Sequence, residues 1–427
     1  MTLLFQVGPF VFLLLAIALM PLLHGRFWER DRNKAWVTLV LAVPAVLWLV
    51  LQGGSDLLWH ALTEYALFIL LLAALYAVSG LIVIHGDLPN GPGGNTLWLA
   101  LGTILANLIG TTGASMLLLR PLLRANHNRK RNRHIPIFFI FTVANCGGLL
   151  LPVGDPPLFL GFLKGVDFFW TLRLWPQWLV VDGLILLVFY LWDARAGGNL
   201  TATPKEKHTL RVEGLTTALL FLAGVIATLL LQAPPIAQSL GGFLRINGLA
   251  WRDPWLSPWG GVAVLATLTA LAVLLIHRPG REKSALVWTP LREVAILFAG
   301  IFCTMAPALQ LLGSLPPSDW TPARLLWSAG GLSSVLDNAP TYLAFAALAD
   351  PGGPSVLSVA RPELLAALSC GAVWMGALTY IGNGPNFLIR AIAEHMGYRM
   401  PSFLGYLAYS LPVLLPVFAL ATALFFR

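Results

Sequence analysis

The chain alternates long apolar stretches with short polar ones along its whole length. Residues 2–23, 35–51, 62–84, 172–192, 215–232, 261–276, 291–312 and 403–426 each carry at most two charged side chains. Runs of this length and character read as helices that cross a bilayer. An apolar core helix is the competing reading, but so many long runs exceed what one soluble core would hold. The first run lacks a basic leader, and Pro21-Leu-Leu-His24 is a poor cleavage site, so it is read as a retained helix rather than a signal peptide.

Four polar stretches are basic: 24–34, 124–133 (RANHNRKRNR), 195–211 and 277–283. The positive-inside rule places all four in the cytoplasm. Counting crossings from there puts both termini on the periplasmic side of a bacterial inner membrane. Residues 97–123 break the count if they cross once, because the basic stretch after them would then lie outside. A re-entrant hairpin removes the conflict. Its middle, Asn107-Leu-Ile-Gly-Thr-Thr-Gly-Ala-Ser115, supports this. Gly110 and Gly113 weaken a helix, and Thr111, Thr112 and Ser115 offer hydroxyls to freed backbone groups. Residues 135–165 then run outward, interrupted at Leu151-Pro-Val-Gly-Asp-Pro-Pro157, where prolines remove backbone donors.

The order recurs in the second half. Residues 324–348 carry Ser333-Ser-Val-Leu-Asp-Asn-Ala-Pro-Thr341 at their centre and read as a second hairpin, entering from outside. Residues 362–394 run inward and break at Ile381-Gly-Asn-Gly-Pro-Asn386. The expected fold is therefore an all-α polytopic membrane protein. It has two inverted repeats of five transmembrane helices, each with one re-entrant hairpin and a broken helix at the site. The first repeat is 1–192, a cytoplasmic linker covers 193–214, and the second repeat is 215–427. Gly154-Asp-Pro-Pro-Leu-Phe-Leu160 aligns with Gly382-Asn-Gly-Pro-Asn-Phe-Leu388, with Asp facing Asn. Inverted repeats with unwound helices at matching positions mark secondary transporters, whose sites lie near the midplane.

Composition fits. Apolar residues make up 57% of the 427 and charged ones 11%, against about 25% charged in a soluble domain. Mean hydropathy is +0.77. The net charge of +8 sits in the short loops and is no nucleic-acid signal. Cys146, Cys303 and Cys370 lie in apolar segments and suggest neither disulfides nor a metal site. No Walker phosphate loop, zinc-protease motif or serine-nucleophile elbow occurs. An enzyme is not expected, and the driving energy must come from an ion gradient or the membrane potential.

Ionisable residues at membrane depth are costly and usually functional. Asp155 and Asp337 stand out, each beside a helix breaker where unwound carbonyls can complete the oxygen shell of a hard cation. A carboxylate there can hold a cation or a proton, and competition between them is exchange. The candidate site adds Asn107, Asn145, Asn338, Asn383 and Asn386 as neutral ligands. Thr111, Thr112, Ser115, Gly154, Ser333, Ser334 and Thr341 add hydroxyl or carbonyl contacts. The competing reading is that either aspartate only caps a helix. No cofactor is expected beyond sodium ion and proton as coupling or transported ions. His85 and Asp87 read as an entrance loop, Glu64 as an interfacial residue, and Arg120 and Arg390 as cations reaching to the membrane surface.

Ile109-Gly-Thr-Thr-Gly-Ala-Ser-Met-Leu-Leu-Leu-Arg-Pro121 and Asn145-Cys-Gly-Gly-Leu-Leu-Leu-Pro-Val-Gly-Asp-Pro-Pro-Leu-Phe-Leu-Gly161 resemble the ion transporter superfamily. That group includes arsenite permeases, dicarboxylate and citrate carriers, and NhaD-type sodium/proton antiporters. The resemblance implies an elevator-type movement of a transport domain against a scaffold, commonly in a homodimer. The sodium-coupled dicarboxylate carriers place Ser-Asn-Thr at both hairpin tips. Here the tips read Thr111-Thr112-Gly113 and Asp337-Asn338-Ala339-Pro340. The expected function is sodium or other cation/proton antiport, with a coupled carrier of citrate, dicarboxylate or an oxyanion as the alternative. The expected partners are the lipid bilayer and a small inorganic ion or small organic anion.

Overall fold

The computed structural model describes residues 2–86, 88–197, 209–232, 258–278, 288–315 and 319–427. Asp87 and most of the third and fourth basic stretches lie outside the described residues. The first half contains α1 (Thr2–Leu23), α2 (Gly25–Trp28), α3 (Asp31–Leu51), α4 (Ser55–Gly80), α5 (Pro92–Asn126), α6 (His134–Phe141), α7 (Pro156–Leu163) and α8 (Trp175–Ala196). The second contains α9 (Leu215–Gln232), α10 (Pro258–Ile276), α11 (Thr289–Leu312), α12 (Pro322–Ser333), α13 (Asn338–Ala349), α14 (Gly353–Ala360), α15 (Pro362–Met375), α16 (Gly384–His395) and α17 (Phe403–Phe425). Val83–His85 and Arg211–Glu213 pair as a short antiparallel ribbon.

Eight helices among the described residues are long and apolar enough to cross a membrane. The protein is a mostly helical, multi-pass membrane protein. Its outer surface agrees: along α3, Trp36, Val40, Leu47 and Leu51 are 58–83% exposed. Water would penalise such a stripe at about 25 cal/mol per Å²; hydrocarbon does not.

The helices pack in two groups. In the first, α1, α3 and α4 pack with α9, α10 and α11. In the second, the hairpins, the interrupted segments and the last long helix of each half pack together: α12 lies along α15, α13 against α7 and α15, α5 against α8, and α17 against α8. The two groups meet where α4 touches α5 and where α11 touches α13.

The α5 segment is long enough for one span, yet it folds back on itself. Trp98 Nε1 donates to Leu118 O at 3.1 Å, and Asn95 and Asn126 exchange amide bonds at 3.0 and 2.8 Å. Residues 20 to 31 apart in a straight helix would be about 30–46 Å apart. The turn is at Gly110, with φ 75° and ψ 155°, a region that only glycine enters without strain. The α12–α13 pair also folds back, bringing the Trp320 and Phe345 rings within 5.9 Å. Both hairpins run a few residues beyond the bounds read from the apolar pattern.

The interruption in the first broken segment is longer than its prolines suggest. The chain leaves the helix at Thr142 and rejoins it at Pro156. The unwinding starts upstream because Asn145 Nδ2 donates to Ile140 O at 2.7 Å and Gly147 N turns back to donate to Thr142 O at 2.8 Å. In the second half the chain leaves α15 at Met375 and resumes at Gly384.

Candidate functional site: a carboxylate where four helix breaks meet

Each hairpin tip and each interruption ends in a new helix. The second arm of α5 starts after Gly110, α7 after Asp155, α13 after Asp337 and α16 after Asn383. These four starts converge. Thr111 Oγ1 donates to Asp155 Oδ1 at 3.1 Å. Asn383 Nδ2 donates to the same oxygen at 3.1 Å. Asn338 Nδ2 donates to Asp155 Oδ2 at 2.6 Å. One carboxylate therefore accepts from both hairpin tips and from the other interruption.

Asp155 occupies the N-cap position of α7, but its side chain accepts no capping bond there. The carboxylate turns across the break instead, which disposes of capping as its role. Asp337 does cap: it begins α13 and accepts from Ala339 N at 3.1 Å. Its partly exposed side chain also lines a cavity shared with Asp155.

Around Asp155 lies a buried amide network. Asn383 Nδ2 also donates to Ala144 O and Asn145 Oδ1, each at 3.2 Å. Asn145 Nδ2 donates to Asn386 Oδ1 at 2.8 Å, and Asn386 Nδ2 to Gly376 O and Thr379 O, both at 2.9 Å. The network thus ties one interruption to the other. Asn107 braces the first break from behind, donating to Gly147 O at 2.6 Å and accepting from Leu150 N at 2.7 Å. Gly154 O receives Thr111 N at 2.9 Å. A Cβ on Gly154 would fall 2.3 Å from Gly148 O, so only glycine lets the loop close.

Other candidates stand further back. Ser333 Oγ donates to Ala372 O and Ser334 Oγ to Gly331 O, both at 2.7 Å. Ser115 and Thr341 bond carbonyls one turn earlier in their own helices. Thr112 lines the cavity. Glu64 pairs with Lys164 at 2.7 Å. Arg120 and Arg390 are among the residues that line the cavity; Arg390 also pairs with Glu394 at 3.0 Å.

Three groups escaped the sequence reading. The buried Thr379 hydroxyl receives Ile381 N and Gly382 N and donates to Ser334 O at 2.6 Å, so it organises the second break. Asp182, midway along α8, is 2% exposed, and neither of its oxygens has a hydrogen-bond partner. Its sequence signal was plain: an acid inside an apolar run. Asp193, at the end of α8, is fully buried. It binds Arg129 at 2.5 Å, His134 at 2.8 Å and Asn95 at 2.9 Å. This cluster ties the base of the first hairpin to α6 and α8. The sequence offers Arg129 only as part of a basic cytoplasmic stretch and Asp193 only as the start of a linker, because the partners within the cluster lie 59 to 98 residues apart.

The cavity has a volume of about 970 Å³ and lies between the two helix groups. Its walls run from Asp155 and Asp337 to Glu29, Asp31, Lys34 and His395. No set of three His, Cys, Asp or Glu side chains among the described residues could hold a transition metal. The oxygens and amides of the site suit a hard cation or a polar solute instead.

A membrane-embedded fold with interrupted helices around a cavity at their breaks is an architecture that secondary transporters use. A family profile described as "Putative citrate transport" matches residues 1–426, and the chain belongs to that family. No curated protein matches the chain in a sequence search.

Proposed function

We propose that the protein exchanges sodium or a similar cation for protons, with Asp155 as the carboxylate for which the two ions compete. The observation that carries this reading is the caging of one buried acid by donors from both hairpin tips and the other interruption. Asn338 adds a second feature: its Oδ1 is buried and has no hydrogen-bond partner. A carboxamide can rotate so that its oxygen and nitrogen exchange places. With the amide nitrogens toward Asp155, the carboxylate is satisfied without a cation. With Asn338 Oδ1 turned inward, two oxygens face each other and can share a sodium ion or a proton. Asp337 is the second acid of the site, at the cavity wall, where it attracts cations toward Asp155.

The proposal includes two inverted repeats, 1–192 and 215–427, and an elevator-type movement of the hairpin-bearing group against the other. Supporting it are the matched order of elements and the grouping of the helices. With the basic loops read as cytoplasmic, the cavity-lining Glu29, Asp31 and Lys34 lie toward that side, which supports an inward-facing state. A homodimer in a bacterial inner membrane completes the reading; crosslinking in membranes tests the dimer.

One observation favours a second reading, a cation-coupled carrier of citrate or another anion. Four helix N-termini point into the site, and their dipoles favour negative charge. The family's description agrees. In that case Asp155 holds the coupling ion.

Proteoliposomes loaded with a pH dye separate the two. A sodium or lithium gradient should drive proton movement without any organic anion. If no proton moves, and labelled citrate accumulates instead, the carrier reading replaces exchange.

A further inference from the structure

A second pocket, of about 830 Å³, lies away from the transport cavity. It is built where the ends of α8 and α17 meet the loops before α6 and α17. Lys130, Arg131, Arg133, Arg195 and Arg399 line it. No acidic side chain does so among the described residues, and no ion pair among them engages these five cations. The nearby Asp193 cannot neutralise them, since its oxygens are already taken by Arg129, His134 and Asn95. Five uncompensated cations around one recess make a site for an anion with several acceptor oxygens.

The other wall has different chemistry. Val188, Leu191 and Trp192 of α8 and Tyr409 of α17 form it. The Trp192 and Tyr409 rings stack with centroids 5.8 Å apart. Leu187, Tyr190 and Leu191 continue this surface outward along α8 and are exposed. An apolar wall that leads from a cationic recess along a membrane helix fits a molecule with an anionic head and a hydrocarbon tail. Aromatic side chains at this level suit the interface between head and chain.

We propose that this pocket is a specific binding site for an anionic phospholipid. The phosphodiester sits among Arg131, Arg133, Arg195 and Arg399, and an acyl chain lies along α8 beside Trp192. The pocket joins residues from both halves of the chain. It also adjoins the Asp193 cluster through His134. A bound lipid would therefore brace the base of the first hairpin. The site is independent of which ion the transporter carries.

The test uses the full-length protein in detergent, titrated with phosphatidylglycerol and followed by native mass spectrometry. Phosphatidylcholine and inorganic phosphate are the comparison arms. The expected result is saturable retention of phosphatidylglycerol, weak retention of phosphatidylcholine, and no displacement by millimolar phosphate. Arg133→Gln with Arg399→Gln should weaken phosphatidylglycerol binding about 30-fold, at about 1 kcal/mol for each basic residue removed. Arg26→Gln with Arg30→Gln removes the same charge from another basic loop and should leave binding unchanged. Trp192→Ala, which keeps every charge, should also weaken binding. Equal loss in both arginine pairs would mean diffuse attraction to the basic face and would overturn the proposal. Displacement by phosphate would reassign the pocket to a soluble anion.

Discussion

The two interruptions have nearly the same backbone and different chemistry. Asp155 begins α7 at φ −141°, ψ 146°, and Asn383 begins α16 at φ −152°, ψ 138°. Each is preceded by a glycine folded back on another glycine six residues earlier: Gly154 on Gly148, and Gly382 on Gly376. Yet the first break presents a carboxylate and the second an amide that donates to it at 3.1 Å. The two breaks therefore share a local architecture and differ in chemistry. At these two matching positions one break supplies the charge and the other a donor to it, which avoids two facing acids there that would repel at close range.

This division can be broken by mutation. Asp155→Asn keeps the shape of the site and removes its charge. Exchange should fall by about 10- to 150-fold, since interactions with a charged group of this kind are worth about 1.5–3 kcal/mol. The protein should still insert and melt cooperatively, as size-exclusion and thermal melting would show. Adding Asn383→Asp to that variant moves the acid to the matching position in the other half. It should not rescue exchange, because an acid there would face Ala144 O and Asn145 Oδ1, which are both acceptors. Rescue would mean that the halves are chemically interchangeable.

Asn338→Ala removes the 2.6 Å donor and the unpartnered oxygen together. Apparent cation affinity should drop about tenfold or more by the same arithmetic, read from the sodium dependence of the dye signal. Gly154→Ala and Gly382→Ala test the shared backbone. Their new Cβ atoms would sit 2.3 and 2.7 Å from a carbonyl oxygen. Both should lower the melting temperature, the first more than the second, within about 1–3 kcal/mol for overpacking. Asp337→Asn should have the smallest effect. Asparagine caps a helix about as well as aspartate, so stability should hold, and apparent sodium affinity should fall about fivefold, or about 1 kcal/mol.

Local features of the sequence carried much of this arrangement. Gly110 and the Pro156-Pro157 pair break helices by their own backbone preferences, so the breaks were readable where they occur. Asp155, Asn338 and Asn383 stood out as polar groups in apolar runs. What they touch was not readable. Asn383 reaches Asp155 across 228 residues, and no local rule specifies that pairing. The same holds for Asn145 with Asn386 and for the Asp193 cluster. The extra unwinding from Thr142 to Gly148 comes from such contacts too, since nothing in Thr142-Val-Ala-Asn-Cys-Gly-Gly148 forbids a helix. Asp337 and Asp155 looked alike in sequence, as acids beside a break. Only their side-chain directions separate a cap from a caged carboxylate.

The central claim is that cation and proton compete at Asp155. Binding of radiolabelled sodium to the purified protein across a pH range tests it most directly. Sodium binding to the wild type should weaken as the medium is acidified, and Asp155→Asn should bind no sodium at any pH. Sodium binding in Asp155→Asn with the wild-type affinity and pH dependence would contradict the account.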